Sequence, residues 1–194
     1  EIHENSVYDV FNHVAGKLCI FRDVTVERDL EKQIRHSSNT DFLTGLYNRR
    51  CFYQYIHNNR GGRTVSLMYI DLDRFKEVND TYGHKVGDAV LVHTADVLRR
   101  LFRDDFVARL GGDEFLVVRL GKCSMDQMEQ EAEAFLKEMR TAFLAAEQTV
   151  SLSASVGIAQ SSDSMVDIDA LLQRSDQALY QAKKAGRSRY CVYR

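Results

Sequence analysis

Four acidic side chains, Asp71, Asp73, Asp113 and Glu114, stand where carboxylates can do chemistry. Asp71 and Asp73 follow a nearly continuous apolar run over 65–70, and the ends of such strands are where α/β sheets place functional groups. Asp113 and Glu114 follow Gly111-Gly112, at the tip of what reads as a tight hairpin, because Gly accepts the positive φ that such turns need. If the two strands are neighbours, three or four carboxylates meet at one edge of the sheet. So grouped, they repel one another unless protons or a cation compensate. Oxygen ligands without His or Cys favour magnesium, which pairs one or two carboxylates with phosphate oxygens. Lys76, Lys183 and Arg187 are available to neutralise phosphates. Asn79 and Asp88 flank Gly83-His84 and Gly87, and an amide with a carboxylate can together read the hydrogen-bonding edge of a guanine. The competing reading is ordinary: surface turn acids, an Asn-Asp turn and a structural or surface His84.

The elements that must position these groups alternate along the chain. A loop over 42–48 leads to a helix over 49–58, which Gly61-Gly62 breaks. The central strand over 65–70 precedes a short helix over 74–79 and a longer one over 86–102, with Val90, Ala95, Leu98 and Leu101 or Phe102 inward. Two short strands, 106–110 and 115–120, form the glycine hairpin. A long amphipathic helix is predicted over 125–145, with Met128, Ala132, Phe135, Leu136, Met139 and Phe143 on one face. Val150, Leu152, Ala154, Val156 and Ile158 alternate with Ser151, Ser153, Ser155 and Gly157, the cleanest period-two strand in the chain. A last helix over 168–184 ends at Gly186, and a terminal strand covers 190–193. The pattern is α/β (α+β), a sheet with helices on its faces. Upstream, a Gly16-Lys17 turn starts a strand, and Asp23 or Thr25 caps a connector helix carrying Val26, Leu30 and Ile34 on one face.

Composition narrows the functions. The chain has 194 residues, 44% apolar and 28% charged, which suits one substantial domain plus a short attachment. A net charge of −2 gives no basic field for nucleic acid, and clusters such as Arg49-Arg50 and Lys183-Lys184 read as solvated surface. The four cysteines, Cys19, Cys51, Cys123 and Cys191, form no CxxC pair and read as reduced thiols. No apolar run reaches the length of a membrane span, so no direct membrane contact and a cytoplasmic location are expected. The chain begins without Met and reads as a piece of a longer protein. No Walker-type loop, GxGxxG or Ser-His-Asp constellation occurs.

Four stretches in the right order resemble the GGDEF family of diguanylate cyclases. Gly111-Gly112-Asp113-Glu114-Phe115 matches its name motif. The segment 41–50 (Asp-Phe-Leu-Thr-Gly-Leu-Tyr-Asn-Arg-Arg) is similar to its opening motif. The segment 71–88, through Asp71, Asp73, Phe75, Lys76, Asn79, His84 and Asp88, is similar to its metal and guanine segment, and 176–187 to its closing motif. The likeness covers residues 41–194. It implies a central, mostly antiparallel sheet flanked by helices, an adenylate-cyclase-like fold. It also implies that Asp71, the Leu72 carbonyl and Asp113 hold Mg2+ (or Mn2+), that Asn79 and Asp88 bind guanine, and that Phe75 and His84 also bind the substrate. Lys76, Lys183 and Arg187 would bind phosphates, with Asp113, Glu114 and Lys76 in the chemistry. The implied reaction condenses two GTP into cyclic di-GMP and two pyrophosphates across a homodimer, under an upstream sensor in the same chain. The alternative is a GTP-binding regulatory module of the same fold without turnover. Many members carry an inhibitory product site, Arg-x-x-Asp, and here Phe102 takes the Arg position while Asp105 is retained, so weak or absent product inhibition is expected. Residues 1–25 resemble the end of a PAS sensor domain, joined by a helical linker over 26–40.

Overall fold

The computed structural model describes residues 2–8, 10–21, 39–161 and 167–194. The chain divides into two compact units, residues 1–38 and Asn39–Arg194. In the first, β1 (Ile2–Tyr8) and β2 (Val14–Phe21) pair antiparallel, with Ile2 opposite Phe21. The turn lies before Val14, where Asn12 takes the left-handed conformation (φ 65°). Gly16 does not make the expected turn, since it sits in the ladder opposite Val7. Asp23, Thr25 and nearly all of the expected connector helix over 26–40 lie outside the described residues.

The second unit is built on a six-stranded sheet. Its strands are β3 (Tyr47–Asn48), β4 (Val65–Leu72), β5 (Phe106–Gly111), β6 (Glu114–Leu120), β9 (Ala154–Gln160) and β10 (Tyr190–Val192). Their order is β10-β9-β4-β6-β5-β3. The four central strands pair antiparallel, and the two outer pairs, β10 with β9 and β3 with β5, are parallel. The mixed sheet flanked by helices is the expected class.

The strand period sorts β4 onto two cores. Met68, Ile70 and Leu72 join one with α3 (His84–Leu101) and α4 (Met125–Met139). Leu67 and Tyr69 join the other with Phe52 and Ile56 of α1 (Arg49–Asn59) and Leu171 and Leu179 of α5 (Ile168–Lys184). A strand covered on both faces reads as a continuous apolar run, which is why β4 was visible in the sequence. The short α2 (Phe75–Tyr82) follows β4 and buries Val78.

Further expectations change: the stretch expected as a loop over 42–48 ends in β3. The helix predicted over 125–145 stops at Met139, and Phe143 belongs to β7 (Phe143–Ala145), paired with β8 (Gln148–Val150). Helix formers continue past Met139, so tertiary contacts override propensity. Arg140 donates from Nη2 to the Ser188 carbonyl (2.6 Å), and the Phe143 ring stacks on His93 of α3 at 3.7 Å between centroids. Ala146 and Glu147 then turn the chain with positive φ. The alternating stretch over 150–158 is not one strand with a wet face: β9 starts at Ala154, and Ala154 through Ala159 are buried.

Gly157 is required by contact and not by backbone freedom. A Cβ there would lie 2.0 Å from the Ser175 carbonyl oxygen and 2.3 Å from the Leu179 nitrogen, so the bare α-carbon lets α5 settle directly on β9. Gly157→Ala must push a helix backbone off the sheet. The expected loss is about 3 kcal/mol, the upper part of the overpacking range, read as a lower urea midpoint. An unchanged midpoint would contradict this packing.

Candidate active site

The antiparallel ladder sets Asp71 of β4 opposite Glu114 of β6 on one side and Ser155 of β9 on the other. Position parity sends both carboxylates to the face covered by α1 and α5. There Lys183, in the last turn of α5, reaches Asp71 with Nζ to Oδ2 at 2.8 Å. Asp71 is half-buried. Burial pushes its carboxyl above the usual range, Lys183 pulls it back, and the neighbouring Asp113 and Glu114 charges push it up again. Glu114 lies 3.9 Å from Arg49 Nη2, and burial together with the Glu114 carboxylate drives the Tyr69 phenol upward.

The hairpin tip is tied down twice. The Leu72 N–H donates to the Asp113 carbonyl (3.3 Å), joining the tip to the end of β4. Arg109 Nε and Nη2 both donate to the Gly112 carbonyl (2.9 and 2.7 Å), while its Nη1 reaches Asp41 Oδ1 at 2.9 Å. Burial raises the Asp41 carboxyl, but bonds from the Thr44 hydroxyl and amide and from Arg109 outweigh it and hold the group below its ordinary value. A braced Asp41–Arg109 pair therefore fixes the carbonyl just before Asp113.

Asp73 has a different fate from the one expected. Its carboxylate is buried and accepts from Ser153 Oγ (2.6 Å), Ser155 Oγ (2.7 Å) and the Ser188 N–H (3.0 Å). It is committed to structure, so the expected meeting of three or four acids reduces to Asp71 with Asp113 and Glu114. Among the described residues no group of three or more His, Cys, Asp or Glu side chains is arranged to hold a metal. The Asp73 bond to Ser188 and the Arg140 bonds hold a turn in which Gly186, Arg187 and Ser188 all have positive φ (114°, 63° and 51°). That turn carries Arg187 to a cavity of about 440 Å3 shared with Arg74, Glu77 and Ser151.

Asn79 lies where α2 meets α3, against Gly87 and the Phe75 ring. Lys76, His84 and Asp88 are exposed, and no described residue pairs with their side chains. Phe102, at the Arg position of the Arg-x-x-Asp pattern, is buried in the core, and Asp105 is gripped by Arg119 through Nε (2.7 Å) and Nη2 (2.5 Å).

With this geometry, the family model described as "Diguanylate cyclase, GGDEF domain" matches residues 38–189. The chain belongs to the GGDEF family. The curated relatives include the cyclic di-GMP phosphodiesterase PdeR of Escherichia coli, 38% identical over 180 residues that cover 91% of this chain and 27% of that protein. The diguanylate cyclase DgcM of the same organism is 37% identical over 178 residues, 89% of this chain and 42% of that protein. The chain thus spans less than half of these relatives. Among solved structures, the coiled coil and GGDEF domain of DgcB from Caulobacter crescentus in complex with c-di-GMP superposes with a TM-score of 0.80 at 28% identity, covering 87% of this chain and 93% of that one.

Within the GGDEF unit the structure brings together Asp71, Glu114 and Lys183, with the Asp113 backbone bonded at Leu72, and separately Asn79, Phe75 and Gly87. Lys76, His84 and Asp88 are exposed, with no side-chain partner among the described residues. Arg49, which the sequence presents as solvated surface, and Arg109 join the site only in the folded structure. Their signal was position: Arg49 lies in the opening motif and Arg109 two residues before Gly111.

The raised Asp71 carboxyl yields a stability prediction with a definite sign. Its folded value lies above its unfolded one, so the associated stability is present at low pH. It is lost as pH passes the ordinary carboxylate value and the buried group ionises. Asp71→Asn escapes that cost. The variant should be at least as stable as the parent at neutral pH, its relative advantage shrinking as pH falls through the carboxylate range. Urea midpoints across pH check this, and a variant clearly weaker at neutral pH would contradict it.

Proposed function

We propose that this GGDEF unit is a diguanylate cyclase, condensing two GTP into cyclic di-GMP and two pyrophosphates with one GTP on each subunit of a homodimer. The observation that carries the reading is the pairing of Asp71 with Glu114 at the sheet edge, beside Asp113 and with Lys183 as its cation. An all-oxygen set of two carboxylates and a carbonyl, with burial and then like charges raising Asp71, suits a hard divalent cation that keeps waters and takes phosphate oxygens. Asp71, the Leu72 carbonyl and Asp113 would hold magnesium (or manganese), which when bound supplies charge neutralisation and makes a bound hydroxyl more acidic.

The chain's own residues do the rest. Asn79 and Asp88, backed by Phe75 and His84, hold the guanine. Lys76, Lys183 and Arg187 would hold the phosphate tail, with Lys183 moving from Asp71 to phosphate. Asp113 or Glu114 accepts the proton of the 3′-hydroxyl. That oxygen forms a bond to the α-phosphorus of the other GTP, the bond to the β-phosphate oxygen breaks, and pyrophosphate departs. Two such transfers close the ring. Each subunit supplies half of the reacting atoms, so placing two bound GTP face to face supplies much of the rate. An upstream sensor, of which the β1–β2 hairpin is the last part, would set that geometry through the linker. With Phe102 in the core and Asp105 held by Arg119, product should not restrain the enzyme through the position of the family's inhibitory site.

A second reading, a GTP-binding regulatory module without turnover, is favoured by one observation: a 38% identical relative is named a phosphodiesterase. Purified dimer, with its dimer content measured by light scattering, should release pyrophosphate from GTP and magnesium and yield cyclic di-GMP by mass spectrometry. Added product should leave the rate unchanged. Asp113→Ala should lower the rate about 100-fold or more, the usual scale for removing a group that stabilises developing charge. Binding of GTP by the dimer without turnover would decide for the regulatory module.

A further inference from the structure

Gly87 sits one turn into α3, in ordinary helical backbone and not in the left-handed region where Gly is usually needed. Within a helix, Gly costs about 1 kcal/mol relative to Ala. Backbone freedom therefore gives no reason for Gly here. Contact does: a Cβ at 87 would lie 1.9 Å from Asn79 Oδ1, 3.0 Å from Asn79 Cγ and 3.3 Å from Phe75 Cζ. The Asn79 carboxamide thus lies across the bare α-carbon of Gly87, with the Phe75 ring against the same spot. Asn79 is half-buried, and among the described residues no hydrogen bond takes its side-chain amide. Shape holds the amide, and no described residue takes up its donors or its acceptor. Asp88, the next residue, is exposed beside it.

We infer that Gly87 is the specificity-determining position of the base site: its missing side chain is what lets Asn79 present its amide for guanine recognition. This rests on the proposed GTP reading. Any side chain at 87 must displace the Asn79 amide by more than an ångström. That amide is the free end of a short side chain, so the move costs folding little, and the helix gains propensity. Recognition is different, because a hydrogen-bond donor moved that far no longer meets its partner.

The test measures the affinity of the dimeric chain for GTP and for ATP, each as its 3′-deoxy analogue so that no phosphodiester bond can form, with magnesium, by titration calorimetry. The parent should prefer GTP. Gly87→Ala should lose about 10-fold or more of its GTP affinity, the scale of one well-made hydrogen bond, and keep its affinity for ATP. In an Asn79→Ala background the same substitution should cost no further affinity, because both changes remove one interaction. Gly87→Ala should melt no lower than the parent. If it does melt lower, adding Asn79→Ala should restore the midpoint, and failure to restore it overturns the inference. A parent that prefers GTP while Gly87→Ala binds it equally well overturns the inference alone. A parent with no preference for GTP overturns the proposed base site and the inference with it.

Discussion

The register between β4 and its two neighbours governs the whole candidate site. Asp71 faces Glu114 across one ladder and Ser155 across the other. A slip of a single residue would turn Asp71 into the core that holds Ile70 and Leu72 and send an apolar side chain to the site. The register is held because β4 is buried on both faces, so each alternate residue has its own core to fill. Lys183 depends on the same frame. It reaches Asp71 only because α5 lies directly on β9, and α5 lies there because Gly157 offers no side chain to stop it. The ion pair is thus delivered by a glycine on another strand.

Two acids separated by one residue show how environment assigns roles. Asp73 is buried with three donors, which satisfies its charge and removes it from chemistry. Asp71 has one cation, two like-charged neighbours and partial burial, so its carboxylate is held at a cost. A carboxylate kept against burial and like charge is the usual mark of a group kept for function. Asp73 still serves the site from a distance. With Arg140 it holds three consecutive residues at positive φ, a conformation that non-glycine residues keep only when their surroundings impose it, and that turn carries Arg187. Asp41 and Arg109 do the same for the hairpin tip through the Gly112 carbonyl.

Much of this was legible in the residues. The run over 65–70, the paired glycines and the final helix carry strong local signals, and the structure has β4, the β5–β6 hairpin and α5 where they were expected. The end of α4 was not legible, because helix formers continue past Met139 and the chain is turned by contacts to Ser188 and His93 that are remote in sequence. The full burial of β9 was hidden as well. Serine and glycine look like a wet face, but Ser155 is consumed by Asp73 and Gly157 by α5. Arg49 was taken for solvated surface, since its approach to Glu114 follows from the packing of α1 and not from any local pattern. Of the cations expected on phosphates, Lys183 meets an acid of the site directly, while Lys76 is left in solvent.

The central proposal for these acids is that they share one cation beside a bound GTP. Crystals grown with a non-hydrolysable GTP analogue and Mn2+ test that through the metal's anomalous signal. The expected result is a peak at the carboxylates of Asp71 and Asp113, with the guanine on Asn79. Analogue bound with the peak elsewhere, or with its base away from Asn79, would contradict it.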